Sequence, residues 1–452
     1  MLTGKERVIK TIKGEPVDRV AWVPFAGVHA GSLLGYSAKE VLTDEDKLVE
    51  SLIKTHELYT PDGMPVVFDL QVEAEILGCE LVWSDDTPPS VKTHPLEGEP
   101  IIPCRCKLPD KDKGRIPMIL SAMRRMKEAV GEDTALYGLI CGPFTLASHL
   151  RGNDIFMDMI LDEDYVKRLL DYTAEAVIRM ADLYIEAGMD IIAIVDPLVS
   201  QISPDHFDSL CHDSFTTVFT HIRQQGAISS FFVCGNATKQ LEVMCKTSPD
   251  SLSIDENVDI IEGKKVTDQY GIAIGGNIPL TTLMLHGTQQ ENMKYVVNLL
   301  DNISHERLII APGCDMPYDV PKENTIGVAQ AVRDTDTVRE MVKNYESPPL
   351  DIEIQLPDYE NLSKPLVEAF TLDSATCAAC TYMWGAVVKA KEHFGDALDV
   401  VEYKYTKLEN IVRCQKMGVQ KLPSVYINGE LKWSSIIPSR DELFAAIESN
   451  LK

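Results

Sequence analysis

Two cysteines end β-rich runs of the sequence, where a metal ion or a reactive thiol could be held. Cys234 ends the run "AISSFFVCG" and Cys314 ends "LIIAPGCD", while the run "SLSIDEN" between them ends in Asp255 and Glu256. Thiolates and carboxylates are zinc ligands, and a catalytic zinc keeps one position open for substrate. A zinc-bound thiol loses its proton near neutral pH and stays nucleophilic, as thiol alkylation requires. The pattern predicts a zinc site formed by the two cysteines and one of the two acidic residues.

The alternative is that Cys234 and Cys314 are small buried hydrophobic residues, the usual state of free cysteine. Cys104 and Cys106 form a C-R-C pair between prolines, which could bind metal but is more typical of a solvated loop. Packing is the simpler interpretation for the cysteines inside helical or strand patterns, namely Cys79, Cys211, Cys245 and Cys414.

The elements that must position these residues alternate from about Val20 to Glu340, with short β-rich runs separated by longer helical patterns. This alternation indicates βα units and a parallel sheet. The predicted strands are Val20–Phe25, Pro65–Asp69, Ala135–Gly142, Met189–Pro197, Ala227–Gly235, Ser251–Asn257, Ile272–Ile278 and Leu308–Asp315. Eight such units most simply close into a (β/α)8 TIM barrel. An open doubly wound sheet is the competing fold.

Barrel enzymes carry their chemistry at the C-terminal ends of the strands. Besides the zinc candidates, several polar residues end predicted strands, and three of them are our candidate catalytic residues. These are Asp196 at the end of the fourth predicted strand, Asn236 directly after the fifth and Asn277 at the end of the seventh. Asp69 ends the second predicted strand and is a further polar candidate.

The composition restricts the possible partners. The 452 residues carry 43 basic against 69 acidic side chains, a formal charge of -26, which disfavours binding to nucleic acid or anionic lipid. No apolar run approaches the roughly 20 residues needed to span a bilayer, and the N-terminus lacks a signal-peptide pattern. The odd number of cysteines, 11, does not resemble a disulfide framework and favours a reducing cytoplasm.

The chain is long enough for two domains. We predict a barrel over residues 1–343, an acidic proline-rich linker over 344–365 and a small α/β domain over 366–452. The last segment reads as strand, helix, strand, helix, hairpin and helix, with the hairpin turning at Asn428 and Gly429.

The sequence resembles the uroporphyrinogen decarboxylase superfamily, and within it the methylcobamide:coenzyme M methyltransferase branch. The resemblance lies in "KERVIKTIKGEPVDRV", "VFDLQVEAEILGCE", "GPFTLASHLRG", "VCGNAT", "SIDENVD", "GGNI" and "APGCDMP", over about residues 1–343. It implies a (β/α)8 barrel that moves a methyl group from a methylated corrinoid protein to a zinc-bound small thiol. It also implies zinc ligands at Cys234 and Cys314, with Asp255 or Glu256 as the acidic ligand. Phe232 stands where the family has a histidine.

Three explanations for Phe232 are open. His29 or His149 could complete the ligand set; two thiolates and one carboxylate could suffice; or the metal could be lost and the protein could be a corrinoid- or thiol-binding redox sensor. The resemblance also allows a decarboxylase acting on a porphyrin-like acid. That reading is weaker because the segment "WVPFAGVHAGSLLG" lacks the arginines that the decarboxylases use for substrate carboxylates.

The C-terminal segment resembles the thioredoxin fold through "TCAACTYMWG" and "LPSVYING". The resemblance implies a redox pair, Cys377 and Cys380, at a helix N-terminus, where the helix dipole favours a thiolate. It also implies a cis-proline at Pro423 beside the pair. A structural cysteine pair in a degenerate domain is the alternative.

Overall fold

The computed structural model describes residues 2–347, 352–374 and 378–451. The chain forms two compact units, residues 1–345 and 346–452.

The first unit is built on eight parallel strands. They are β1 (Ala21–Trp22), β2 (Gly63–Pro65), β5 (Ala135–Cys141), β6 (Ile191–Val195), β7 (Ile228–Val233), β8 (Ser251–Ile254), β9 (Ala273–Ile278) and β10 (Leu308–Pro312), with a small hairpin of β3 (Leu81–Val82) and β4 (Ser90–Val91) between β2 and β5. The sheet order is β1-β10-β9-β8-β7-β6-β5-β2. Apart from the β3–β4 hairpin, each strand from β2 to β10 pairs with the strand that precedes or follows it along the chain, and the last strand, β10, also pairs with the first, β1, as in a TIM barrel. The predicted barrel is confirmed.

Each predicted strand overlaps an observed one, but the observed strands are shorter. The largest difference is at β2, where the prediction Pro65–Asp69 shares only Pro65 with the observed Gly63–Pro65. The apolar run "VVF" that suggested the strand continues past the ladder toward the barrel mouth, and all three side chains are buried there. Apolar periodicity reports burial, and here the buried apolar run extends beyond the last residue pair of the ladder, Pro65 with Tyr137.

The helices surround the sheet. They are α1 (Gly4–Lys13), α2 (His29–Ser32), α3 (Ala38–Thr43), α4 (Glu45–Tyr59), α5 (Val72–Ile76), α6 (Ile116–Val130), α7 (Pro143–Arg151), α8 (Asp154–Leu161), α9 (Glu163–Glu186), α10 (Pro204–His206), α11 (His212–Gln224), α12 (Leu241–Lys246), α13 (Ile260–Tyr270), α14 (Gln289–Asn302), α15 (Lys322–Arg333) and α16 (Thr335–Val342). Short 3₁₀ turns occupy Arg105–Lys107 and Pro197–Gln201, and π-helical turns occupy Phe207–Cys211 and Leu280–Leu285. No helix of the described residues is both long and apolar enough to cross a membrane.

The predicted N-caps are found at the starts of the long helix α9 and the short helix α10. The Asp162 carboxylate accepts a hydrogen bond from Tyr165 N at 3.0 Å at the start of α9. Ser203 Oγ accepts one from His206 N at 3.1 Å, with Pro204 as the first helical residue of α10. These bonds satisfy backbone donors that have no partner within the helix.

Side chains and loops close the barrel between β1 and β2. Trp22 O accepts a hydrogen bond from Asp62 N at 2.9 Å, and Trp22 N donates one to Asp62 Oδ2 at 2.8 Å. The same buried carboxylate pairs with Arg7 at 2.6 Å and with Arg19 at 2.6 Å. One side chain therefore joins α1, β1 and β2.

We expect Asp62→Ala to destabilise the barrel by about 3 to 5 kcal/mol, because two cations and a backbone amide lose their partner in a buried site. Asp18→Ala is the matched control, since Asp18 also pairs with Arg7, at 2.7 Å, but its side chain is 35% exposed. We expect that control to cost at most about 1 kcal/mol. The free energy of unfolding in urea measures both. Equal losses would contradict the role given to Asp62.

The second unit contains every element predicted for it. Its strands are β11 (Leu366–Thr371), β12 (Asp399–Lys404), β13 (Ser424–Ile427) and β14 (Glu430–Ser434), and its helices are α17 (Ala378–Phe394), α18 (Leu408–Met417) and α19 (Arg440–Glu448), with a 3₁₀ turn at Gly395–Ala397. The sheet order is β12-β11-β13-β14. β12 runs parallel to β11, while β13 and β14 are antiparallel to their neighbours.

The predicted linker is not only a spacer. Within the second unit, Ile354 O accepts a hydrogen bond from Lys416 Nζ at 2.6 Å, and Tyr359 Oη donates to Glu368 Oε1 at 3.0 Å. These contacts attach the described part of the segment, from residue 352, to α18 and β11. Proline content and low periodicity correctly indicate a lack of regular structure here, but they do not report packing.

Candidate active site

The barrel brings two thiols together at its mouth. Cys234 follows β7 and Cys314 follows β10, and the structure joins their Sγ atoms as a disulfide, with the Cα atoms 6.0 Å apart. Both side chains are half-buried and pack on the apolar core of the barrel. Because β8 and β9 lie between the two strands in the sheet, the pair spans part of the mouth.

An aromatic cluster lies beneath the thiols. Phe232 is on the same side of β7 as Cys234, is fully buried, and has its ring centroid 4.9 Å from that of Phe25 and 6.0 Å from that of Phe68. Phe25 also meets Tyr137 edge to face, with centroids 5.9 Å apart. The site of the expected histidine is therefore occupied by an apolar ring among other rings. Sequence reasoning missed Phe25 and Phe68, although both lie in the first two predicted strands.

The two acidic metal candidates lie beside the thiols but are bound to the backbone. The Asp255 carboxylate accepts hydrogen bonds from the backbone of Gly235, next to Cys234, and from Asn257 N at 2.9 Å. Burial raises the pKa of Asp255, and these bonds oppose the rise. The Glu256 carboxylate accepts a hydrogen bond from Leu280 N, while burial raises its pKa to about 8.

These contacts test whether the residues fit zinc. Once the disulfide is reduced, two sulfur atoms on these loops could form the sulfur half of a zinc site, in which two zinc–sulfur bonds of about 2.3 Å place the sulfurs roughly 4 Å apart. Within residues 2–347, 352–374 and 378–451, however, no group of three or more His, Cys, Asp and Glu side chains is arranged to hold a metal ion. The structure therefore supplies two of the predicted ligands and leaves the acidic ligand engaged elsewhere.

Neither candidate histidine completes the set. His29 is fully buried, with Nε2 2.7 Å from Tyr59 Oη and Nδ1 3.0 Å from Tyr318 O. His149 is also buried, and burial lowers its pKa to about 3. Its Nε2 has no hydrogen-bond partner among the described residues, and its backbone carbonyl accepts from Cys79 Sγ at 3.3 Å. Both histidines are packed in the interior of the barrel, and neither lies in a position to ligate a metal with Cys234 and Cys314 among the described residues.

Asp196 fixes the turn from β5 into α7. Its carboxylate accepts hydrogen bonds from Phe144 N at 2.9 Å, Thr145 N at 3.1 Å and Thr145 Oγ1 at 2.5 Å. Burial raises its pKa to about 7, and these donors oppose the rise. The side chain is inaccessible to solvent, so Asp196 is a positioning residue in this structure, and the predicted catalytic role would require the helix to lose this partner.

The two predicted asparagines differ in their surroundings. Asn236 is half-buried, and its Oδ1 accepts from Thr238 N at 3.2 Å, so it shapes the turn after Cys234. Asn277 is buried, and its Nδ2 donates to Asp255 O at 3.0 Å and Val258 O at 2.5 Å. Within the part of the chain that the structure describes, its Oδ1 has no hydrogen-bond partner. Asn277 thus holds the loop that carries both acidic candidates.

A second acidic group lies near the end of β2. Asp69 pairs with Arg115 at 2.7 Å, and Arg115 pairs with Glu75 at 2.8 Å. Glu73, on α5, is fully buried, and its Oε2 has no hydrogen-bond partner in residues 2–347, 352–374 and 378–451. Burial, assisted by Asp69, raises the pKa of Glu73 to about 8. Sequence reasoning singled out Asp69 only, although Glu73 belongs to the motif "VFDLQVEAEILGCE".

Glu73 gives the barrel a testable pH dependence. Folding raises the pKa of Glu73 from 4.5 to about 8. Its contribution to the free energy of unfolding is therefore fully present below pH 4.5 and is lost as the pH rises through 8. We expect the free energy of unfolding of the wild type to fall between pH 5 and 9, relative to Glu73→Gln, by on the order of 3 to 5 kcal/mol. Urea denaturation at several pH values measures this. Glu97→Gln, at an exposed site, is the control; parallel pH profiles for wild type and Glu73→Gln would refute the assignment.

In the second unit, Cys377 lies outside the described residues. Cys380 is buried on α17, and its Sγ accepts a hydrogen bond from Leu372 N at 3.3 Å. The Leu422–Pro423 peptide bond is cis, directly before β13. Cys380 and the cis-proline are thus both present in the described structure.

Comparison with known proteins identifies the first unit. The model of the uroporphyrinogen decarboxylase (URO-D) family matches residues 3–335. A methylcobamide:CoM methyltransferase MtbA of Methanosarcina acetivorans is 28% identical over 330 residues, covering 71% of this chain and 95% of the relative. MtaA, another methylcobamide:CoM methyltransferase, from Methanosarcina barkeri, is 28% identical and covers 74% of this chain and 98% of its own length.

A solved structure agrees with this comparison. A methyltransferase from Methanosarcina mazei superposes with a TM-score of 0.68 at 27% identity, covering 74% of this chain and 99% of the other. The family match ends before the second unit begins. Through residues 3–335 the chain belongs to the uroporphyrinogen decarboxylase family, and its similar proteins include methylcobamide:CoM methyltransferases.

Proposed function

We propose that the barrel transfers a methyl group from a methylated corrinoid, carried by a separate protein, to a small thiol. The observation that carries the proposal is the meeting of Cys234 and Cys314 at the mouth, in a family whose similar members include methylcobamide:CoM methyltransferases. In the reaction the acceptor thiolate forms a carbon–sulfur bond to the methyl group. The carbon–cobalt bond breaks, and its electron pair stays on the corrinoid. This function fits a cytoplasmic enzyme with a corrinoid protein as partner.

We further propose that Cys234 and Cys314 bind one zinc ion, with Asp255 or Glu256 as a third ligand. Zinc, when bound, lowers the pKa of a coordinated thiol and keeps it nucleophilic at neutral pH. Supplying a carboxylate requires Asp255 to release the backbone of Gly235, or Glu256 to release Leu280 N. In the other arrangement, only the two thiolates bind zinc and the remaining positions are open. Zinc would then bind more weakly, because Phe232 replaces the histidine whose imidazole is the expected further ligand.

The chain's own residues prepare the mouth for this chemistry. Phe232, Phe25 and Phe68 close the barrel below the thiols and exclude water from that side. Asn277 holds the loop of Asp255, and Asp255 in turn holds the backbone of Gly235. The loops that carry Cys234 and the acidic candidates are therefore fixed relative to one another by buried hydrogen bonds, which favours preorganisation of the site.

The structure favours methyl transfer over decarboxylation of a porphyrin-like acid. Polycarboxylate substrates need cations, and the turn after β1 has no arginine; instead Gly27 N donates to the half-buried Asp315 carboxylate at 2.9 Å. Arg115 is already paired with Asp69 and Glu75. A substrate with several carboxylates would meet further carboxyl groups here, with few free cations to oppose them.

We propose that the second unit is a thioredoxin-like redox module in which Cys377 and Cys380 keep the acceptor or the barrel thiols reduced. The sheet order β12-β11-β13-β14, Cys380 at the start of α17 and the cis-proline Pro423 support this. The Cys234–Cys314 contact also favours a second candidate, a redox sensor in which the barrel binds a corrinoid or thiol without turnover. Turnover distinguishes the two.

The test uses the reduced full-length protein with zinc, methylcobalamin and a thiol, either 2-mercaptoethanesulfonate or 2-mercaptoethanol. We expect thiol-dependent loss of the methylcobalamin absorption spectrum and formation of the methyl thioether, detected by mass spectrometry. The contrary result is a protein that binds methylcobalamin but forms no thioether with either thiol, under reducing conditions and with zinc supplied. That result would refute methyl transfer and would support the redox sensor as the function of the barrel.

A further inference from the structure

The barrel has a cavity at the end opposite to Cys234 and Cys314. It has a volume of about 740 Å³, and its lining includes residues at or just before the starts of four parallel strands, namely Ile228, Asp250, Ile272 and Arg307. The first residues of parallel strands lie at the opposite barrel end from the last residues, which form the mouth. This cavity, here called the lower cavity, is therefore separate from the proposed methyl-transfer site.

Three cations line the lower cavity: Lys13, Arg223 and Arg307. Among the described residues, none of the three forms an ion pair with a carboxylate. Arg307 Nη1 donates to Ile12 O at 2.7 Å, and Arg223 Nη1 donates to Ser248 O. Each guanidinium has five N–H groups, so these bonds anchor the side chains and leave further donors for a ligand.

The acidic residues of the lower cavity, Asp190 and Asp250, offset these three cations only in part. Asp190 pairs with Lys5 at 2.5 Å and with Lys127 at 2.9 Å. The Asp250 carboxylate accepts from Ser229 N at 2.8 Å and Ser229 Oγ at 2.7 Å. In a chain of formal charge -26, a cavity whose lining carries three cations against two carboxylates, one of which is paired with Lys5 and Lys127, favours anions among small solutes.

The remaining lining is largely apolar. It includes Ile12, Met189 and Ile272 together with Tyr270, a large aromatic residue that is 39% exposed. The volume is within the range that holds cofactor-sized molecules. We propose that the lower cavity binds a small organic anion, whose phosphate or carboxylate groups contact Lys13, Arg223 and Arg307 and whose flat apolar part packs against Tyr270 and Ile272.

Isothermal titration calorimetry on the full-length protein tests this with three probes: ATP, inorganic tripolyphosphate and citrate. ATP carries both an anionic and a flat part, tripolyphosphate isolates phosphate charge, and citrate isolates carboxylate charge. We expect saturable binding of ATP or citrate at or below about 1 mM, weakened by added salt. The Cys234→Ser, Cys314→Ser variant should bind equally well, because the mouth is not involved.

Two variants locate the binding. Lys13→Glu should weaken binding at least about tenfold, whereas Lys10→Glu, on the same helix but outside the lining and paired with Glu15 at 2.7 Å, should not. Tyr270→Ala should weaken ATP but not tripolyphosphate. Melting temperatures verify that each variant is folded. The proposal is overturned if no probe binds saturably, or if Lys13→Glu and Lys10→Glu have equal effects.

Discussion

Replacing both Cys234 and Cys314 by serine should lower the rate of thiol methylation at least about 1,000-fold. Serine has nearly the size of cysteine, but its hydroxyl is a poor zinc ligand and loses its proton far less readily. Both side chains are half-buried on the barrel core, so the substitution changes chemistry more than packing. The rate of thioether formation from methylcobalamin, measured under reducing conditions, is the readout.

The matched control removes another cysteine pair. Cys104 and Cys106 are also joined in the structure, in an exposed loop, so Cys104→Ser, Cys106→Ser makes the same chemical change outside the mouth. We expect that variant to retain wild-type activity. If the two double variants lose activity equally, or if the mouth variant keeps full activity, Cys234 and Cys314 are not the reactive site.

Phe232→His should increase zinc affinity at least about tenfold, because an imidazole two residues before Cys234 would supply the ligand that the family pattern expects. Without zinc the variant should be less stable than wild type by about 2 to 4 kcal/mol, since a polar ring replaces a buried phenyl ring in contact with Phe25 and Phe68. Added zinc should recover much of this loss, since a ligand that binds the folded state stabilises it.

Phe231→His is the control for that variant. Phe231 is equally buried but lies on the other face of β7, where its ring stacks on Phe215 with centroids 4.7 Å apart. We expect a comparable loss of stability with no recovery by zinc. Chelator competition and melting temperatures with and without zinc measure both variants. Equal responses to zinc would show that position 232 does not face a metal site.

The fold could be predicted from the sequence because each barrel strand is a short apolar run bounded by turn residues. β6, with the sequence "IIAIV", is buried on both faces and gives such a run directly. The positions of Cys234 and Cys314 followed from the same pattern, since strand ends meet at the mouth. Strand lengths were overestimated, as at β2, because apolar side chains continue beyond the ladder.

What the sequence did not predict depends on contacts between distant residues. Asp62 joins three elements through partners 55, 43 and 40 residues away, and no local pattern reports such a network. Asp196 and Asn277 were predicted as catalytic because they end strands, but a polar residue at that position can equally hold the next helix or loop. Glu73 carried no separate signal, because burial of a carboxyl group depends on packing around a short helix.

The central claim is most directly tested by the zinc content of the reduced full-length protein, after incubation with zinc and removal of the excess, by inductively coupled plasma mass spectrometry. We expect about one zinc per chain, retained by Cys104→Ser, Cys106→Ser and absent from Cys234→Ser, Cys314→Ser. A wild-type protein that retains no zinc, with disulfide exchange at Cys377 and Cys380 as its measurable activity, would contradict it.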